Sequence, residues 1–116
     1  MFSLSPQLAP LVLLLLSNLF MTVAWYGHLK FPSASLVTVV VVSWGIAFFE
    51  YCLAVPANRI GYAVYSAGQL KAMQEVISIA IFVAFSVLVL GEEIGPKQFL
   101  GFGLLAAGAF FIFEGR

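Results

Sequence analysis

Charge, cysteine and histidine are all scarce in this chain. Of its 116 residues only 9% are charged, five Lys+Arg against five acidic residues, and every acidic one is Glu. A soluble domain carries about a quarter charged residues to keep its surface wet. With 63% hydrophobic residues and a mean hydropathy of +1.10, this chain cannot cover such a surface, and its natural solvent is lipid. The even charge balance offers no basic footprint, so no nucleic-acid partner is expected. A lone cysteine, Cys52, excludes an intrachain disulfide and reads as a small packing residue in its apolar run. The lone histidine, His28, has no Cys or His neighbour, and no metal-ligand spacing occurs, so neither metal nor cofactor is expected. Nor is there a nucleophile elbow, phosphate loop, zinc motif or Ser/His/Asp set, and the chain is not read as an enzyme.

What is present is a series of long apolar runs, about Leu8 to Leu29, Ala34 to Val55, Ala67 to Leu90 and Pro96 to Phe113. Each is near the ~20 residues that cross a ~30 Å hydrocarbon core at about 1.5 Å per residue. In lipid a backbone must satisfy its own hydrogen bonds, which leaves helices. VVVVSWGIAFF and LLLLSNLF lack the period-two alternation of a barrel strand. The expected fold is an all-α membrane protein, residues 1–116 forming one domain of four transmembrane helices with short loops. MFSLSPQLAPLVLLLLSNLF has no Lys or Arg before its apolar core and no small-x-small cleavage site, so it reads as a retained first helix rather than a signal peptide.

The connections His28 to Ser33 and Gly91 to Pro96 are short, which forces antiparallel neighbours. Pro32 and Pro96 suit a first helical turn, and Gly91 suits a helix end. Pro56 is expected to close the second helix, because proline cannot continue one cheaply. Trp25, Tyr26, Tyr62 and Tyr65 read as interface anchors. Arg59, Lys71 and Arg116 fall on the side of the termini, and Lys30 and Lys97 on the other. That bias is too small for the positive-inside rule to fix an orientation, and dual insertion stays open.

The stretch Trp44 to Glu75 holds four of the ten charged residues: Glu50, Arg59, Lys71 and Glu75. An ionisable group at membrane depth is costly and marks function by default. Glu50 lies about two turns before Pro56, roughly 9 Å inside the second helix, and Glu75 about two turns inside the third. These helices meet at one loop, so both carboxylates are expected at similar depth, with Arg59 and Lys71 as ion-pair candidates. Desolvation raises a carboxylate pKa and a nearby cation lowers it. A carboxylate held between the two can exchange protons near neutral pH, as a proton-coupled carrier requires. Lys71 and Glu75 are spaced i, i+4, so a structural ion pair is the favoured reading of Glu75. Glu50 has no cation at i±3 or i±4, and its functional and structural readings stand even.

Asn18, Thr22 and Trp25 share a face of the first helix at i, i+4, i+7, with Ser17 and Asn18 near mid-span. Polar groups there must face protein or water. They form either the wall of a central cavity or helix–helix hydrogen bonds. The same two readings apply to Glu75, Ser78, Phe82 and Ser86 in the third helix. In the last helix Gly103 and Ala107 make a small-xxx-small step, and Gly101 and Gly108 lie seven apart. Small residues let helices approach closely in lipid, so these four are dimer-contact candidates or else packing positions within the monomer. Glu92 and Glu93 are expected to be solvated in their loop.

The run Tyr65-Ser-Ala-Gly-Gln-Leu-Lys-Ala-Met-Gln-Glu75, an apolar helix, and then Leu90-Gly-Glu-Glu-Ile-Gly-Pro-Lys-Gln-Phe-Leu-Gly-Phe-Gly-Leu-Leu-Ala-Ala-Gly108 resembles the closing helix pair of the drug/metabolite transporter superfamily. Gly101-x-x-Leu104-Leu105-x-x-Gly108 looks like the dimer-forming last helix of small multidrug resistance proteins. NLFMTVAWYGHLK and SWGIAFFEYCLAVPANRIGY are similar to a four-helix branch of that superfamily. The resemblance implies a half-transporter-like unit in the inner membrane that works as a dimer, in the small multidrug resistance proteins an antiparallel homodimer exchanging protons for cationic drugs. Their proton site is a Glu in the first helix. Here that helix has Asn18 near that depth and no carboxylate, so Glu50 or Glu75 would take the role. The expected function is transport of a small organic solute, coupled to protons through one of them. The rival expectation is a structural or accessory membrane protein that assembles with a partner chain.

Overall fold

A computed structural model describes Ser5 and residues 7–115. Arg116, counted above with the cations near the termini, lies outside the described residues. The helices are α1 Ala9–Tyr26, α2 Leu36–Gly61, α3 Ala67–Leu88 and α4 Pro96–Glu114, with a 3-10 turn at Gly27–Lys30 extending α1. All four are long and apolar enough to cross a membrane, and no strand occurs among the described residues. The protein is an all-α membrane protein of four spans.

Local chemistry sets most of the helix starts. Ser35 caps α2, its hydroxyl accepting from the Thr38 backbone N–H at 3.3 Å. Ser66 and Gln69 form a capping box on α3, Ser66 Oγ accepting from Gln69 N at 3.1 Å and Gln69 Oε1 from Ser66 N at 2.9 Å. Pro96 sits in the first turn of α4, where its missing N–H has no helical partner to lose. The Gln98 side chain reaches back to the Gly95 N–H at 3.0 Å.

The second helix departs from expectation. It runs on through Pro56 to Gly61 rather than ending near Val55, and Arg59 lies in its last turn. Pro56 leaves the Cys52 carbonyl without its helical donor, a local cost. The offset comes from packing beyond it. Ala57 is fully buried, and Gly61 lies where three helices meet. A Cβ built on Gly61 would fall 2.6 Å from Leu70 Cδ2 and 3.2 Å from the Pro10 ring. Only a residue without a side chain lets α2 end against both α1 and α3.

Packing runs in a series: α2 lies on α1, α1 on α3, and α3 on α4. The molecule measures 45 × 37 × 21 Å, broader than it is thick. The bundle is therefore open, with α2 and α4 as its outer helices. Its buried apolar residues are mostly small, including Ala24, Ala54, Ala57, Ala72 and Ala109 beside Leu14 and Leu70. Large side chains such as Leu36, Trp44, Leu88 and Phe111 point outward, as they do where lipid is the solvent.

Candidate functional site

The continuation of α2 moves Glu50 to mid-depth. It stands fourteen residues after Leu36 and eleven before Gly61. At about 1.5 Å per residue that is roughly 21 Å from one end and 17 Å from the other. The depth exceeds the roughly 9 Å expected from a helix ending at Pro56 because α2 continues to Gly61. Glu50 is half-buried, and its Oε2 accepts a hydrogen bond of 3.2 Å from Ser17 Oγ, itself buried at the middle of α1. A hydroxyl both donates and accepts, so this contact can persist whether the carboxyl is ionised or protonated. Beside Ser17, Asn18 is fully buried. Its Nδ2 donates to the Leu14 carbonyl at 2.8 Å, while its Oδ1 is buried with no hydrogen-bond partner. Ser17, Asn18 and Glu50 thus form a polar centre where α1 crosses α2.

Glu75 does not join it. Its carboxylate pairs with Lys71 Nζ at 2.9 Å, as the i, i+4 spacing favours, and the side chains are 47% and 69% exposed. The pair stands on the outside of α3, eight and four residues from its start. Arg59 makes no ion pair among the described residues. The two carboxylates and two cations expected to share one depth therefore separate into a mid-depth Glu50, an outward-facing Lys71–Glu75 pair and a free Arg59.

Thr22 and Trp25 do meet the polar stripe of α3. With Ser78, Phe82 and Phe102 they line a cavity of 420 Å³ open to one side. Thr22 is buried, whereas Trp25 is 65% exposed at the rim. Tyr26 closes one wall, its ring edge-on to Phe82 with centroids 4.9 Å apart. Asn18, one turn from Thr22, and Glu50 are not part of the lining. Of the three residues that share this face by sequence periodicity, Thr22 and Trp25 line the cavity and Asn18 does not, and the cavity does not reach Glu50.

At the opposite end from Arg59, two contacts escaped the sequence. Ser86, fully buried in α3, donates its hydroxyl to Glu92 Oε1 at 2.8 Å, and the Glu92 N–H returns to the Ser86 carbonyl at 3.0 Å. The chain folds back through Gly91, whose φ of +72° suits glycine. Glu92 is therefore a helix-end clasp rather than a merely solvated loop residue. Lys30 Nζ donates to the Val89 carbonyl at 2.6 Å, tying the α1–α2 connection to the end of α3. The signal was a buried Ser six residues before a Glu across a glycine, a spacing that helical periodicity does not pick out.

Phe102, Ala106, Ala109 and Phe113 make the face that α4 turns inward. At about 100° per residue, Gly101 and Gly108 lie to one side of that face and Gly103 and Ala107 to the other. A Cβ added at Gly101, Gly103 or Gly108 would meet nothing within 4 Å. These residues are not packing positions within the monomer.

Four apolar helices, short connections and an ionisable side chain at mid-depth define a multi-pass integral membrane protein of helical type. Residues 10–113 match the family described as "Putative member of DMT superfamily (DUF486)", and the chain belongs to that family. No curated protein and no solved structure matches the chain.

Proposed function

We propose that the protein carries a small organic solute across the plasma (inner) membrane as a homodimer, exchanging it for protons at Glu50. The observation that supports this most is the place of Glu50, in the middle of a spanning helix and held by Ser17. A carboxylate at that depth is costly, which makes it a functional candidate by default. The buried, unpartnered Oδ1 of Asn18 supplies a second polar group at the same crossing. The openness of the bundle supports a dimer: two such units facing each other could enclose a site at the midplane that one cannot. The family's description as a "Putative member of DMT superfamily", the drug/metabolite transporters, supports the transport class, and antiparallel pairing fits the small difference in Lys and Arg between the two membrane sides. Thr22 and Trp25, on the cavity wall, are the proposed solute contacts.

The test is a proteoliposome assay with a trapped pH-sensitive dye, using wild type and Glu50→Gln against a panel of lipophilic cations and small amines. Wild type should give solute-dependent proton flux, and Glu50→Gln should lose it. If the variant keeps both proton release and solute flux, Glu50 is not the coupling residue.

One observation favours a second reading, an accessory protein assembling with another chain. The Lys71–Glu75 pair faces outward, and Glu75, about 12 Å from the start of α3, lies below the headgroup level, where a protein surface would shield it better than lipid. A stable homodimer on purification alone would weigh against that reading. A chain that is monomeric until a second membrane protein is supplied would favour it.

A further inference from the structure

We propose that Arg59 and Lys71 hold a phosphate-bearing anion in the pocket where α2 ends and α3 begins. This site is separate from the polar centre at Glu50. The pocket has a volume of 430 Å³, and its lining includes Asn58, Arg59, Tyr62, Leu70, Lys71 and Gln74. Its polar members, a guanidinium, an ammonium, two amides and a phenol, are all hydrogen-bond donors on an open and otherwise largely apolar surface. A phosphate, with oxygens pointing several ways, uses such a set better than a planar carboxylate. Arg is suited to bidentate phosphate binding, and Arg59 has no carboxylate partner among the described residues. Lys71 gives one bond to Glu75 and keeps two further N–H donors. Glu75 is the acidic group nearest in sequence, and its carboxylate lies outside the lining.

The depth fits as well. Arg59 stands two residues before the end of α2, and Lys71 four residues into α3. Both are within roughly 6 Å of the helix ends, the level at which lipid headgroups meet the hydrocarbon. Leu70 gives the pocket an apolar wall for a glycerol or acyl stem. The phosphate could be that of an anionic phospholipid or of a soluble phosphate ester. The recognition chemistry is the same for both.

The test uses the full chain in neutral detergent micelles, titrated in separate arms with phosphatidylglycerol and with glycerol 3-phosphate. Affinity is read from the NMR shift of the Gln74 side-chain amide. Saturable binding is expected in at least one arm. Binding of the lipid alone identifies a headgroup site, and binding of glycerol 3-phosphate alone identifies a soluble ligand. Arg59→Gln should weaken binding about tenfold, the worth of a charge-assisted hydrogen bond. Lys97→Gln, which removes the same charge at the opposite end, should leave it unchanged. Absence of saturation in both arms overturns the proposal. So does equal weakening by the two variants, which would mean diffuse electrostatic attraction. Circular dichroism of both variants checks that the helices are intact.

Discussion

Asn18 and Ser86 are both fully buried polar side chains, yet they stand differently toward the fold. Ser86 is satisfied through Glu92. Ser86→Ala should cost about 1 kcal/mol, the usual net worth of such a bond. Amide hydrogen exchange at Val89 and Leu90 should rise, and unchanged protection there would show that the clasp does not hold the end of α3. Asn18 keeps an unpartnered Oδ1, and its Nδ2 goes to a carbonyl that the α1 helix already uses. Its amide therefore contributes little to holding α1 in place. Asn18→Leu should keep the melting temperature within a few degrees while abolishing solute-driven proton release. A melting temperature lower by about 8 °C or more would assign Asn18 to packing instead. The residues of this centre could be picked out in the sequence because polar groups stand out against hydrocarbon. Their pairing could not, since whether Glu50 meets Ser17 or lies near Glu75 depends on how far α2 extends.

That length is decided at the scale of the element. Lipid imposes span length and apolarity, so four helices could be read directly, three with both ends close to those observed. The exception is α2, where a local rule about proline competed with tertiary packing and lost. Neither the burial of Ala57 nor the close approach at Gly61 has any periodic signature in the sequence. The two helical glycines of α2 should therefore respond oppositely. Gly61→Val forces side-chain atoms into Leu70 and the Pro10 ring and should destabilise the protein by about 1–3 kcal/mol. A Cβ at Gly45 meets nothing within 4 Å, so Gly45→Ala should be neutral or stabilising by up to about 1 kcal/mol. Thermal unfolding of both variants in the same detergent gives the comparison. A Gly61→Val protein as stable as wild type would mean that α2 does not close against α1 and α3 at this point.

For the whole molecule, the question is what covers the outer helices. Alpha-4 packs on α3 through one face and leaves Gly101, Gly103, Ala107 and Gly108 uncovered on its flanks. Glycine is a poor helix former, costing about 1 kcal/mol against alanine, and nothing within the monomer requires it at Gly101, Gly103 or Gly108. A close contact with a second copy would require it, because small residues let helix backbones approach in lipid. The two flanks can be tested apart. One double variant carries Gly103→Leu with Ala107→Leu, and the other carries Gly101→Leu with Gly108→Leu. A Cβ at Gly101, Gly103 or Gly108 meets nothing within 4 Å and Ala107 is exposed, so helix content and monomer stability should hold in both variants. The variant on the contacting flank should shift the dimer toward monomer, read by light scattering in detergent and by single-molecule photobleaching in liposomes. If both variants dimerise as wild type does, α4 is not the contact. The pairing surface must then be sought on α2, the other outer helix, whose Trp44, Phe48 and Tyr51 stand exposed around the depth of Glu50. That outcome would place the interface on the helix that carries the proposed coupling carboxylate, Glu50, rather than across the molecule from it.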